Sequence, residues 1–190
     1  MQAVDHKPYL TVDEYLAGEQ HGDIRHEYVD GEVFAMAGAA ERHNRIAGNI
    51  FFHLRAAARG GLCGVFISDM KVLVEARNAL YYPDVLVSCD PADSEPLYKT
   101  RPFLIVEVLS PATEVIDRRE KLTGYRTLPS LTHYLLVAQD CRRVELYRRE
   151  EDGHWSHTVF EESGRFDARA TGFAASLTMD DIYEDVVLTP

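Results

Sequence analysis

The sequence predicts an α/β (α+β) fold, a mixed β-sheet flanked by helices and led by an N-terminal β-hairpin. Three observations predict it. His43, Ala47, Ile50 and Leu54 recur at three- and four-residue steps, the spacing of an amphipathic helix. Short β-rich apolar runs fill much of the chain, and one of them, Phe103 to Leu109, is apolar on both faces, as a central buried strand is. Asp30-Gly31 stands between two short extended runs, the strongest short hairpin signal.

In chain order, Thr11 with Glu14 three residues later forms a capping box that opens a helix through about residue 18. The runs 24–29 and 32–36 flank Asp30-Gly31 as two antiparallel strands. The amphipathic helix covers 41–59, about five turns, and Gly60-Gly61 ends it. Strands follow at Val65–Ile67, Val72–Val74, Val85–Val87 and Phe103–Leu109, separated by turn-forming stretches. Ser110-Pro111 opens a second long helix, since serine caps and proline suits a first turn; it runs to about Thr127, before Pro129. His133–Val137, Val144–Tyr147 and His157–Phe160 complete the strands, with Asp152-Gly153 turning the last pair.

At 190 residues the chain fits a single domain spanning 1–190, with a core over about 8–150 and an acidic C-terminal extension over about 150–190. From Glu150 onward ten acids face two bases, which accounts for −8 of the net charge of −11 and leaves the body near −3. That balance counts against simple electrostatic adhesion to nucleic acid, though it permits a local basic groove. No apolar stretch is long enough to cross a bilayer, and the first twenty residues, with Asp5, His6, Lys7, Asp13 and Glu14, lack a secretory pattern. A cytoplasmic location is expected. Cys63, Cys89 and Cys141 are odd in number and sit in apolar strand-like segments, so they are read as small buried hydrophobes rather than disulfide or metal partners.

The informative acids are Asp84, which follows Pro83 and opens an apolar strand, and Glu107, inside Phe103-Leu-Ile-Val-Glu-Val-Leu109. A carboxylate there is costly unless a cation or donor pairs with it. Two carboxylates on neighbouring strands, with a strand-end carbonyl such as that of Val108, make a hard oxygen site of the kind magnesium takes while keeping several waters. Such an ion is what phosphodiester hydrolysis needs. Asp117, Lys121 and Tyr125 are spaced by four and share one helix face just past Glu107, which puts Lys121 within reach of the site.

Each of these residues also has an ordinary explanation. Asp84 alone reads first as a turn acid after proline, Lys121 equally as a surface partner of Asp117, and Tyr125 as a core residue. His43 fits a hydrogen-bonded, half-buried histidine better than a general base. Arg118, Arg119, Arg126, Arg142, Arg143, Arg148 and Arg149 are available for phosphate contacts, but charges scattered this way are normally solvated surface.

Pro83-Asp84, then Glu107-Val-Leu-Ser-Pro111, then Asp117 with Lys121 and Tyr125, together resemble the Uma-two type of small bacterial restriction-endonuclease-like proteins, within the PD-(D/E)XK nuclease superfamily. Arg25-His-Glu-Tyr-Val-Asp-Gly-Glu32, with Met36 and His43, resembles that family's N-terminal signature, and the match spans about 8–150 in order. The resemblance implies a restriction-endonuclease-like fold in which Asp84 and Glu107 hold Mg2+, with Mn2+ as a substitute. Where the superfamily carries a lysine two residues after the glutamate, this chain has Leu109. Lys121 then stands in the matching role from the helix, and Glu27 is an additional acid for a second metal or water.

The expected activity is therefore Mg2+-dependent endonucleolytic hydrolysis of DNA, by a water that Lys121 orients. A homodimer is expected if both strands of a duplex are cut. The competing expectation is a catalytically silent module that keeps the fold and uses it to bind nucleic acid or protein.

Overall fold

The computed structural model describes residues 9–36 and 38–188, so Asp5, His6 and Lys7 lie outside the described residues. Helix α1 (Val12–Glu19) carries the capping box on Thr11 and Glu14, and strands β1 (His26–Val29) and β2 (Glu32–Ala35) pair antiparallel around Asp30-Gly31. Both turn residues have positive φ, 46° at Asp30 and 87° at Gly31, the backbone that a two-residue hairpin turn demands.

Helix α2 (Glu41–Ala57) buries Ile46, Ala47, Ile50 and Leu54 along one stripe. Each of the larger of these side chains contributes about 1.5–3 kcal/mol on burial. Strands β3 (Gly64–Ile67), β4 (Lys71–Val74), β5 (Ala79–Tyr81), β6 (Val85–Ser88), β7 (Tyr98–Lys99) and β8 (Pro102–Leu109) follow. Strands β5 and β7 have no counterpart in the sequence reading, being only three and two residues long.

The second long helix begins later than expected. The Ser110 carbonyl and hydroxyl accept from Glu114 and Thr113, closing a turn over 110–113, and the helix occupies 114–125. Its central stretch, Asp117–Lys121, is π-helical. Strands β9 (His133–Ala138), β10 (Arg143–Arg149) and β11 (Trp155–Glu161) agree with expectation to within a few residues.

The acidic C-terminal segment forms further strands, β12 (Arg165–Ala170) and β13 (Phe173–Thr178), and a short helix (Met179–Ile182). It carries a period-two pattern: Phe166 and Ala168, then Phe173, Ala175 and Leu177, point inward while the residues between them face solvent. These side chains join α2 in one core cluster.

Strand order is β11-β10-β9-β8-β6-β3 in a six-stranded sheet and β2-β1-β5-β4-β7 in a five-stranded one. In the larger sheet β8 and β9 run parallel and every other pair is antiparallel. Leu104, Val106 and Val108 face α2, while Ile105 and Leu109 face the other way, into a cluster with Tyr81, Tyr125 and Leu128. Glu107 has the parity of Ile105 and Leu109, so the fold aims it at the π-helical segment.

The cysteine expectation is corrected. Cys63 and Cys89 are disulfide-bonded, with Cα atoms 4.0 Å apart. They lie one step beyond the Gly64↔Ser88 pair at the end of β3 and β6, a cross-strand position that spacing along the chain does not disclose. Cys141 is exposed rather than buried.

Candidate active site

Asp84 precedes β6 and Glu107 lies in β8. The antiparallel register Val85↔Val106 makes them the next facing pair, on one side of the sheet. Asp84 Oδ2 accepts from the Val108 amide at 2.7 Å, replacing a ladder partner at the strand end, and lies 3.4 Å from His43 Nε2. The Val108 carbonyl also faces the His43 ring. Burial presses against the charged form of His43, but Asp84 and that carbonyl outweigh it and hold the imidazole above its usual range.

Lys121 enters from the π-helical turn. Its Nζ lies 2.9 Å from Glu27 Oε1, 3.1 Å from Asp117 Oδ1 and 3.3 Å from Glu107 Oε1. The wider turn lets Asp117, Lys121, Gly124 and Tyr125 all face inward. Tyr125 donates to Glu107 Oε1 at 3.0 Å, the Tyr82 amide donates to Glu27 at 3.3 Å, and Tyr134 donates to the Asp117 carbonyl at 3.0 Å.

Three carboxyls, those of Glu27, Glu107 and Asp117, thus surround one ammonium, with Asp84 facing Glu107 across the strands. Burial drives Glu107 well above the ordinary carboxyl range; Lys121 opposes that rise, while Asp117, Asp84 and Glu27 add to it. Burial likewise opposes the charge on Lys121, yet Glu107, Glu27 and Asp117 prevail and raise its pKa. Neighbouring negative charge acts in the same direction on both groups, adding to burial at Glu107 and overcoming it at Lys121.

Glu27, His43, Asp84, Glu107, Val108 and Lys121 line one open cleft of about 810 Å³. All the side chains the sequence singles out converge here, with Asp117 and Tyr125 directly behind. Among the described residues no group of three or more His, Cys, Asp or Glu side chains suffices to hold a metal ion. The donor chemistry nonetheless suits a hard, water-rich cation: Asp84 and Glu107 engage protein donors through Oδ2 and Oε1, and net negative charge surrounds them. A buried oxygen without a partner, Gln139 Oε1, belongs to the same cleft wall.

The model of the Uma2 family, described as "Putative restriction endonuclease", matches residues 12–180. The chain belongs to that family. Two uncharacterized proteins of Synechocystis sp. are similar to it: one is 36% identical over 93% of this chain and 92% of its own length, the other 35% identical over 82% and 89%. A crystal structure described as a "putative nuclease belonging to DUF820", from Anabaena variabilis, superimposes with a TM-score of 0.73 at 16% identity, covering 94% of this chain and 99% of that one. The likeness establishes a shared fold, mixed α+β as the sequence predicts.

In this Uma2 protein sequence reasoning missed Tyr82 and Gln139. Tyr82 acts through its backbone, which no side-chain pattern reveals. Gln139 did leave a signal: it is a polar residue ending the apolar run His133–Ala138, much as Asp84 opens one.

The arginines named above are largely committed within the chain. Arg118 pairs with Glu114 and Glu145, Arg142 with Asp180, and Arg143 with Glu145 and Glu161. Arg148 pairs with Glu150, Arg149 donates to the carbonyls of Arg126, Leu128 and Pro129, and Arg126 stacks on Tyr147 and Trp155.

Proposed function

We propose that this Uma2 protein is a divalent-cation-dependent endonuclease, using Mg2+ or Mn2+ to hydrolyse DNA phosphodiester bonds. The observation that carries the reading is the facing pair Asp84 and Glu107 with the Lys121 ammonium 3.3 Å from Glu107 at the base of an open cleft. In this reading Asp84, Glu107 and the Val108 carbonyl hold the cation. When bound, such an ion supplies the Lewis acidity that polarises a phosphoryl oxygen and lowers the pKa of an attacking water.

The chain's own groups do the rest. Tyr125 and Lys121 fix the Glu107 carboxylate, and His43 and the Val108 amide fix that of Asp84, so neither has to reorganise when substrate arrives. Lys121 remains charged and presents its ammonium toward the cleft, where it orients water and offsets charge developing on the phosphoryl oxygens. Glu27 and Asp117 hold that ammonium in place, and Glu27 is the further acid available to a second cation or water. Cutting both strands of a duplex calls for a homodimer whose two-fold axis matches the target.

A cytoplasmic setting fits this activity, and among the described residues no helix is long and apolar enough to cross a membrane. The Cys63–Cys89 bond pulls the other way, toward a less reducing environment.

The engagement of most of the arginines by acids and carbonyls favours a second reading, a silent binding module on the same fold. One pair of measurements separates the two. Calorimetric titration with Mn2+ and a supercoiled-plasmid cleavage assay are run on the wild type and on Asp84→Asn. The nuclease reading expects cation binding and cleavage by the wild type and loss of both in the variant. Cation binding without cleavage of DNA or RNA favours the module, and absence of cation binding sinks the proposed site.

A further inference from the structure

Gln139 follows the last residue of β9, in the register position beside Ser110, just past the β8 residues Glu107 and Val108. It is 8% exposed and lines the cleft, yet no atom of its amide hydrogen-bonds to a described residue, and its Oε1 is buried without a partner. The other buried orphaned atoms among the described residues have compensation nearby. Asp117 Oδ1 has the Lys121 ammonium at 3.1 Å, while the guanidinium groups of Arg126 and Arg149 stack on Trp155. Gln139 has no such relief.

A buried carbonyl oxygen without a donor is destabilising and calls for a cause, such as strain, a role in the site's chemistry, or a water or ion that satisfies it. The cleft it borders carries the acceptors Asp84 and Glu107 on its wall, and its charged or ring donors Lys121, His43 and Arg25 are already engaged by Glu27, Asp84 and Asp69. What suits one more oxygen among carboxylates is a cation or the water around one, since a hydrated divalent ion presents strong donors to surrounding acceptors.

We infer that Gln139 is a positioning residue of the cation site, its side-chain carbonyl accepting from the hydration shell of the ion held by Asp84 and Glu107. The inference rests on the proposed function and extends its oxygen set to a third strand, β9. Glutamine suits the position because it adds an acceptor without adding negative charge to a cleft already lined by Glu27, Asp84 and Glu107.

The test is calorimetric titration of Mn2+ into the wild type, Gln139→Leu, Gln139→Glu and Asp84→Asn, with melting curves in chelator for each. Loss of an outer-shell partner lowers affinity by about 10–100-fold, and that is the expected effect of Gln139→Leu. Gln139→Glu, which keeps the acceptor, should bind as tightly as the wild type or more so. In chelator Gln139→Leu should melt no lower than the wild type, because it removes an unsatisfied buried oxygen. A residue that served only the fold would lower the metal-free melting temperature and leave cation affinity unchanged, which overturns the inference. If the wild type binds Mn2+, Asp84→Asn does not, and Gln139→Leu matches the wild type, the inference alone falls. If the wild type binds no cation, the proposed function falls with it.

Discussion

Replacing Lys121 by methionine tests the site most directly, because it keeps the length of the side chain and removes only the charge. The ammonium is 4% exposed and stands 2.9 Å, 3.1 Å and 3.3 Å from three carboxylates. Removing one partner from a buried ion pair costs about 3–5 kcal/mol, because the remaining charge is left uncompensated. Glu27 is the least enclosed of the three, at 15% side-chain exposure, so water can reach it once the ammonium is gone. Tyr125 continues to donate to Glu107, which keeps the loss within that range rather than above it. For a domain of this size each kcal/mol moves the melting temperature by about 2–4 °C, so the variant should melt about 6–20 °C lower in chelator at mildly alkaline pH. The deficit should shrink on acidification, as Glu107 takes up a proton. Saturating Mn2+ should restore part of it, about 2.7 kcal/mol at a hundredfold excess over Kd, while DNA cleavage stays lost. The assay is a set of calorimetric melts with and without cation at several pH values. A variant that melts with the wild type in chelator would refute the buried carboxylate cage itself.

Other consequences follow from the same geometry. Glu107 and His43 both have raised folded-state pKa values, so each favours the fold below its unfolded pKa, near 4.3 and 6.5 respectively, and that contribution is lost as pH rises through the folded value. Metal-free protein should therefore lose stability as pH rises above the unfolded Glu107 value, and again above the unfolded His43 value, and added Mg2+ should recover most at the alkaline end; a flat urea-midpoint profile would contradict this. Asp84→Ala deprives the Val108 amide of its acceptor and should cost about 1–3 kcal/mol in urea unfolding, whereas Asp84→Asn keeps a carbonyl there and should cost clearly less. Equal losses would remove that hydrogen bond from the account. Protein purified without reductant should show one reactive thiol when denatured, that of Cys141. Reduction of the bond across 26 residues should lower stability by about 3.5 kcal/mol on the loop-entropy estimate; three free thiols before reduction would exclude the bond.

Much of the fold is local physics that the chain states openly. Thr11 and Glu14 cap α1 by their own hydrogen bonds, Asp30-Gly31 supplies the positive φ of the hairpin, and the stripe Ile46, Ile50, Leu54 sets the buried face of α2. Glu107 announced itself because a charge inside an eight-residue buried strand needs a reason. The helix spacing of Asp117, Lys121 and Tyr125 survived even though its backbone is π-helical, since all three still face inward.

What tertiary structure alone decided are relations between segments remote in sequence. The facing of Asp84 and Glu107 depends on the β6–β8 register, the meeting of Glu27 with Lys121 on how the five-stranded sheet lies against 114–125, and the Cys63–Cys89 bond on the β3–β6 pairing. The C-terminal strands escaped because their inward positions are partly alanine, Ala168 and Ala175, so the period of two is weakly apolar and only packing against α2 makes it visible. Composition and local spacing report what each segment prefers. Which segments meet depends on loop closure and shared burial across the whole chain, and neither is written in any short stretch of it.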